Sequence, residues 1–482
     1  MAEQWAISGV DLHLERTGPG LRRGLTDALR EAVRTGRLGA GTRLPSSRTL
    51  AADLGIARNT VAAVYADLVA EGWLTARQGA GTRVAERRVS APDGAVPPPR
   101  THPRPRYDLR PGRPDVSAFP RGDWLKAARR AVAAAPHESF GYGDPGGRPD
   151  LRAALAGYLA RARGVRAESR RVVIDGGFAH TLTVLGAVLR ARGVHTVAVE
   201  SYGLRAHRSL LAASGLRTVA LPYDDRGTDP GPLPVTGAGA VLLTPAHQFP
   251  MGEALPPERR TAVVDWARRT GGLVIEDDYD GEFRYDRRPV GALQGLDPDR
   301  VVYLGTASKS LAPGLRLSWA VLPGDLVDDV VAARGGHDVC GVLDQLTLAE
   351  FLRSGAYDRH VRTARLRYRR RRDALVAALA THAPDVRVTG IAAGLHAVVR
   401  LPPGAEEQVL RAAAWHGLAL FGLSLFRHPD AVAEQLDAVG GGGGARKPFS
   451  PPPPPTWGRG LSRGGGGRVE TTRQLTATGC PA

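Results

Sequence analysis

Lysine is almost absent from this chain. Of 482 residues carrying 65 Lys+Arg, three are lysines (Lys126, Lys309, Lys447) and 62 are arginines, so amine chemistry has three places to reside. Cysteine is scarcer still: Cys340 and Cys480 lie far apart and no C-x-x-C pair occurs. This argues against a disulfide scaffold, a zinc ribbon or an iron–sulfur site and fits a reducing, cytoplasmic setting. Nowhere do about 18 apolar residues run together, and the start MAEQWAISGVDLHLE has no basic stretch leading into an apolar one, so neither a membrane span nor export is expected. The 13 histidines form no H-x-x-x-H pair on an expected helix, and no metal is assigned.

What is present is a 43% hydrophobic chain, too long for a single core. Composition divides it into a compact segment at 1–90, a Pro/Arg-rich linker at 91–106 with six prolines, an alternating region at 107–440, and a tail at 441–482. The tail holds glycine runs and five consecutive prolines, keeps no helical or strand period, and is expected to be disordered. The net charge of +17 permits a polyanionic partner, but residues 1–90 hold only 13 Arg against 9 Asp+Glu, a net of +4, while the tail holds +5.

In the first segment Leu25, Ala28, Leu29, Ala32 and Val33 recur at helical spacing. A second helix opens at Leu44-Pro45-Ser46-Ser47 behind a serine cap and stops at Gly55, and a third runs from about Ala57 to Ala70 with Val61, Val64, Tyr65 and Leu68 inward. WLTAR, the turn QGAG and TRVAE then read as a hairpin wing. Two helices joined through a glycine turn, the second opening on Arg58, Asn59 and Thr60, have the geometry of a helix-turn-helix reader of double-stranded DNA. Arginine can fork onto guanine or phosphate, asparagine onto adenine.

The long region alternates apolar runs with helical segments: RVVID (171–175), TVAVE (196–200), RTVAL (217–221), AVLLT (240–244), GLVIE (272–276), VVYLG (301–305) and LSWAVL (317–322). That pattern predicts an α/β domain around a largely parallel sheet, with its site at the carboxyl ends of the strands. Lys309 follows one such strand, and Asp277 and Tyr279 end another in EDDYD. A lysine that must form an imine needs a cavity that lowers its pKa. A pyridoxal ring needs a carboxylate on its nitrogen, for which Asp277 is placed, and a donor to its 3′-oxygen, for which Tyr279 is placed. Its phosphate needs a cation and backbone donors, offered by Arg316 and by Gly176-Gly177. Two other patterns are decoys. Gly141 to Gly146 matches G-x-G-x-x-G but contains proline and follows a helix, and RTARLRYRRRR (362–372) reads as a solvated helix face with Val361, Leu366, Tyr368 and Leu375 as its apolar stripe.

The run LPSSRTLAADLGIARNTVAAVYADLVAEGWLTARQGAGTRV resembles the GntR-type winged helix. Residues 107–425 resemble fold-type I, class I aminotransferases, in the motifs GYGDPGGRPDLRAALAGYLARARGV, LLTPAHQFPMG, IEDDYDGEFRYDRRPVGALQGLD, VVYLGTASKSLAPGLRLSW and GLHAVVRLP. The combination resembles the MocR/PdxR subfamily of GntR regulators. The resemblance implies a multidomain chain in which an α+β winged helix-turn-helix is fused to an α/β fold-type I domain binding pyridoxal 5′-phosphate. It places DNA contacts on Arg48, Arg58, Asn59, Thr60, Gln78 and Gly79. It makes Lys309 the imine lysine (internal aldimine), Asp277 and Tyr279 the ring partners, and Thr306 and Arg316 phosphate ligands, with His247 and Gln248 bordering the ring.

The chain departs from that family in two places. The family's Glu-Asp-Pro-Gly-Tyr is ESYGL here, so an aromatic position holds Leu204. After Gly422-Leu423-Ser424 the expected last strand and helix, with the arginine that clamps an amino-acid carboxylate, give way to the glycine-proline tail, which reads as a frame-shifted or otherwise altered terminus with an incomplete small domain. The expected function is a homodimeric transcriptional regulator that binds operator DNA and senses an amino acid or amine on its cofactor. The alternatives are a working aminotransferase with an appended winged helix and a DNA-binding protein with a vestigial cofactor site.

Overall fold

The computed structural model describes residues 6–7, 10–11, 20–77, 81–85, 105–285 and 290–431. Gln78, Gly79, linker residues 91–104 and the 441–482 tail lie outside the described residues. The chain divides into two compact units, Met1–Arg104 and Pro105–Ala482.

In the first unit α1 (Leu21–Arg34), α2 (Ser47–Leu54) and α3 (Arg58–Ala70) precede a hairpin of β1 (Leu74–Arg77) and β2 (Gly81–Val84). Leu29, Leu50, Val61, Val64, Leu68 and Leu74 close one core. The local signals act where the sequence puts them. Ser46 Oγ accepts from Thr49 N–H at 3.1 Å to cap α2, and Gly55 ends it at φ 62°, a left-handed turn that suits glycine. Ala57 precedes α3 and has no side-chain oxygen to cap it, so the first-turn N–H groups of α3 lack a side-chain partner of their own.

The second unit is built on a seven-stranded sheet. In chain order its strands are β3 (Val172–Asp175), β4 (Thr196–Glu200), β5 (Arg217–Leu221), β6 (Ala240–Leu243), β7 (Leu273–Asp277), β8 (Val301–Thr306) and β9 (Ser318–Val321). Across the sheet the order is β3-β9-β8-β7-β6-β4-β5. Each of the seven apolar runs is a strand, and the pairs are parallel except that β9 runs antiparallel to β8 and β3. Alternation sends Val172, Ile174, Trp319 and Val321 to one face and Val173, Ala320, Ile275 and Leu304 to the other. Both faces are covered, and this is why the strands read as continuous apolar runs.

The helices that position the site are α4 (Arg121–Ala134), α5 (Pro149–Arg163), α6 (Phe178–Ala191), α7 (Arg205–Ala213), α8 (Pro257–Thr270) and the single turn α9 (Ala307–Ser310). After them come α10 (Val327–Ala333), α11 (Val342–Arg353) and the 27-residue α12 (Ala356–His382), then the antiparallel pair β10 (Arg387–Thr389) and β11 (Val398–Arg400), and α13 (Glu406–Trp415). The arginine-rich run lies within α12. Its buried stripe is Val361, Ala364 and Tyr368, whereas Leu366, expected inward, is 56% exposed because it falls about half a turn away from that stripe. Gly141 to Gly146 is a loop, as expected of it.

Candidate functional site

The carboxyl ends of the parallel strands supply the chemistry. Thr306 ends β8, and its Oγ1 accepts from Ser308 N–H at 3.0 Å, capping the turn that carries Lys309. Lys309 Nζ donates to Gly112 O at 2.7 Å. Burial holds this amine below the usual lysine range, with Asp277 and Asp280 pulling the other way. A neutral amine is the nucleophilic form.

The EDDYD cluster resolves into separate tasks. Glu276 accepts from the N–H groups of Leu293 and Gln294 at 2.8 and 2.9 Å. Asp278 is paired with Arg163 at 2.6 and 2.9 Å and accepts from Tyr303 Oη at 2.7 Å. Asp280 faces His247 Nδ1 at 2.9 Å. Asp277 differs from these three: its Oδ1 is buried with no hydrogen-bond partner. Burial, and then the charge of Asp278, push this carboxyl well above its ordinary range. An orphaned buried acceptor is costly unless a donor arrives. Tyr279, two residues on, places its hydroxyl 3.0 Å from His247 Nδ1.

Opposite Lys309's strand, Gly177 precedes α6 at φ 115°. A Cβ there would stand 2.6 Å from an Arg316 guanidinium nitrogen, so arginine and glycine are fitted to each other. Arg316 is itself held at φ 51°, an uncommon conformation for a non-glycine residue, of the kind that collects at functional sites. The glycine amides are not free, however: Gly176 N–H donates to Asp175 Oδ1 at 2.7 Å and Gly177 N–H to Ser318 Oγ at 3.0 Å. An anion beside Arg316 would meet the start of α6 at Phe178 and Ala179, the N–H groups of His180 and Thr181 already donating to Gly177 O at 3.0 and 3.2 Å. Thr306 is similarly engaged, donating to Ser308 Oγ at 2.9 Å.

His247 is buried in the loop after β6, while Gln248 beside it bonds the backbone, donating to Tyr202 O and Phe249 O and accepting from Met251 N–H. Leu204 leads into α7 and is 38% exposed. Sequence reasoning missed Gly112, Arg163, Asp280 and His396. Gly112 and His396 are far from Lys309 in the chain, and the only signal for Asp280 was its place in EDDYD. His247, Asp280 and His396 bring ligand-type atoms within 4.8 Å of one another, a grouping that helix spacing cannot reveal. The three side chains already serve hydrogen bonds: Nδ1 of His247 with Asp280, and Nε2 of His396 with Pro250 O at 2.9 Å.

In the first unit Arg48 on α2 and Arg58 and Asn59 at the start of α3 are exposed, and Thr60 is half-buried. The exposed Arg43 side chain lies against Gly81 at the base of the wing. Arginine and asparagine at an uncapped helix start suit phosphate and base edges.

Residues 114–430 match the family Aminotransferase class I and II, and residues 21–84 match Bacterial regulatory proteins, gntR family. The chain is 34% identical over 435 residues to the probable rhizopine catabolism regulatory protein MocR of Rhizobium meliloti, covering 84% of this chain and 86% of that one. It is also 34% identical over 411 residues to the HTH-type pyridoxine biosynthesis transcriptional regulator PdxR of Corynebacterium glutamicum, covering 83% and 87%. The chain belongs to the MocR/PdxR-type GntR regulators. Among solved structures, the multiple substrate aminotransferase of Thermococcus profundus is 25% identical with a TM-score of 0.61, covering 67% of this chain and 83% of that one. As a MocR/PdxR-type protein the chain is a helix-turn-helix transcriptional regulator with an aminotransferase-like domain, whose fold implies dependence on pyridoxal phosphate. Its residues fit that group: a bare buried carboxylate oxygen at Asp277, an amine of lowered basicity at Lys309, and a cation seated against Gly177.

Proposed function

We propose that this regulator carries pyridoxal 5′-phosphate on Lys309 and that an amino acid or amine competing for that position changes its hold on operator DNA. The unpartnered Oδ1 of Asp277 carries this reading, since a protonated ring nitrogen is the donor that such a buried acceptor needs. When bound, the cofactor supplies an electrophilic carbon conjugated to that nitrogen. The protein does the rest. Asp277 keeps the ring nitrogen protonated, Tyr279 donates toward the 3′-oxygen, Arg316 and the start of α6 hold the phosphate, and Lys309 gives up its place to an incoming amine. Arg58, Asn59 and Thr60 contact the major groove and its bordering phosphates, and Arg48, Gln78 and Gly79 contact the backbone or the adjoining groove. A ligand that binds two conformations unequally shifts their populations, so regulation needs no turnover.

Exposed apolar side chains on α4 and at the start of α11, Leu125 (58%), Val132 and Leu343 (52%), support a homodimer. Among the described residues no helix is long and apolar enough to cross a membrane, which fits a cytoplasmic regulator. A second reading, an active aminotransferase, is favoured by the intact set of Lys309, Asp277, Tyr279 and Arg316. Purified protein with added cofactor should show a visible absorption band that Lys309→Ala abolishes. A gel shift with DNA upstream of its own gene should depend on the cofactor. Absence of the band removes the cofactor reading, and rapid conversion of amino acids with 2-oxoglutarate supports the enzyme instead.

A further inference from the structure

The motif GLHAVVRLP contributes none of the residues discussed as holding cofactor or DNA, yet the segment around it closes on the loop that carries His247. Ile391 N–H donates to Gly252 O at 2.9 Å, Gly394 N–H to Phe283 O at 2.6 Å, and Tyr285 N–H to Ala392 O at 2.9 Å. Tyr285 Oη donates to Gly394 O at 2.6 Å. Gly252 and Gly390 meet backbone to backbone, since a Cβ on Gly252 would lie 3.2 Å from the Cα of Gly390. At Gly394, φ 72°, a Cβ would collide with the His247 ring and stand 2.5 Å from Asp280 Oδ2. The strap 390–396 is thus seated directly on the His247–Asp280 pair.

His396 completes the contact. Its ring lies 4.9 Å from that of His247 and 5.1 Å from that of Phe249. Its Nε2 is 2.9 Å from Pro250 O, which can only accept, so Nε2 carries the hydrogen. His247 Nδ1 in turn faces both Asp280 Oδ2 at 2.9 Å and the Tyr279 hydroxyl at 3.0 Å. Contact with Asp280 therefore fixes the orientation of the His247 ring, and a packed series of side chains runs from the Tyr279 phenol to the strap.

We propose that His247, oriented by Asp280, is a positioning residue for the Tyr279 hydroxyl, and that His396 and Gly394 latch the strap 390–396 to it. Setting of the phenol and seating of the strap are then coupled, giving the cofactor site a mechanical link to the C-terminal part of this unit. The geometry supplies contiguity, and coupling is what the experiment must show. The spectroscopic half of the test rests on the cofactor reading, whereas the exchange half does not.

Full-length protein loaded with pyridoxal phosphate is titrated with pH while the visible band is followed. Asp280→Asn and His247→Ala should move the midpoint by about one pH unit or more, in the same direction as Tyr279→Phe. His247→Asn, whose amide nitrogen falls near the place of Nδ1, should recover most of that shift. In cofactor-free protein, amide hydrogen exchange at Ile391 and Gly394 should quicken about tenfold or more in His247→Ala and His396→Ala, while Val302 and Leu304 in β8 keep their rates. An unmoved midpoint together with unchanged strap exchange overturns the proposal, as does acceleration in β8 equal to that in the strap. If wild-type protein shows no visible band, the cofactor reading fails by itself, and strap exchange decides whether His247 and His396 form the latch.

Discussion

The two units keep their functional groups in opposite ways. In the winged helix, Arg48, Arg58 and Asn59 stand exposed on neighbouring helices, supplied by one short stretch of chain. In the aminotransferase-like unit the groups are gathered from Gly112 to Arg316, and several are buried, engaged or deliberately left without a partner. The contrast follows from what each must meet. A polyanion is met in solvent, by many cations that each add little. A small reactive ring is met in a cavity, where burial shifts proton affinities far enough to matter.

The contrast breaks most sharply at Gly177. Gly177→Ala puts a methyl group into the Arg316 guanidinium at a φ of 115°, so cofactor affinity should fall by about a hundredfold or more, measured by titration of the visible band. DNA affinity of the cofactor-free protein should be unchanged, and a parallel loss there would contradict the division of labour.

Next in size is Leu68→Ala. Leu68 is 1% exposed in the winged-helix core, and its truncation should cost about 2–5 kcal/mol by chemical denaturation and abolish the gel shift. The visible band should survive.

A smaller effect is expected from Arg58→Ala, which removes one exposed cation. Operator affinity should drop roughly tenfold, and the slope of log affinity against log salt should flatten by about one. Retention of the wild-type slope would mean that Arg58 does not touch a phosphate.

The smallest effect concerns the buried carboxyls of the second unit. Burial pushes Glu200, Glu276 and Glu282 up from 4.5 to about 7. Between these values the folded chain retains protons that the unfolded chain has released, so stability should fall as pH rises across that window. Glu200→Gln removes one such proton and should make the decline shallower in a series of urea midpoints. A steeper decline would show that its bonds to Thr228 and Thr244 outweigh its burial.

Particular residues show how far the chain could be read before its fold was seen. Six of the seven strands were legible because strands covered on both faces are apolar almost throughout, the half-exposed edge strand β5 by its β-branched Thr218 and Val219, and Ser46 and Gly55 marked the ends of α2 by local chemistry alone. The antiparallel course of β9 was not legible, since an apolar run carries no sign of its direction. Leu366 was placed inward and lies exposed, because several registers fit an arginine-rich helix equally well. Gly176 and Gly177 were read as donors to a phosphate, yet their amides serve Asp175 and Ser318, partners that only the folded chain brings near.

By itself the sequence determined the order of the two units, the helices and hairpin of the first, the seven sheet strands of the second, the exposed reading residues, and the one lysine of three that follows a sheet strand. These depend on neighbours within a few turns of chain. Only the tertiary structure decided which of four acidic groups keeps a bare oxygen, that Arg316 demands glycine at 177, and that His247 and His396 meet across the strap. Each of these depends on distance and burial between segments far apart in the chain, and so on which polar groups folding satisfies and which it leaves for a ligand.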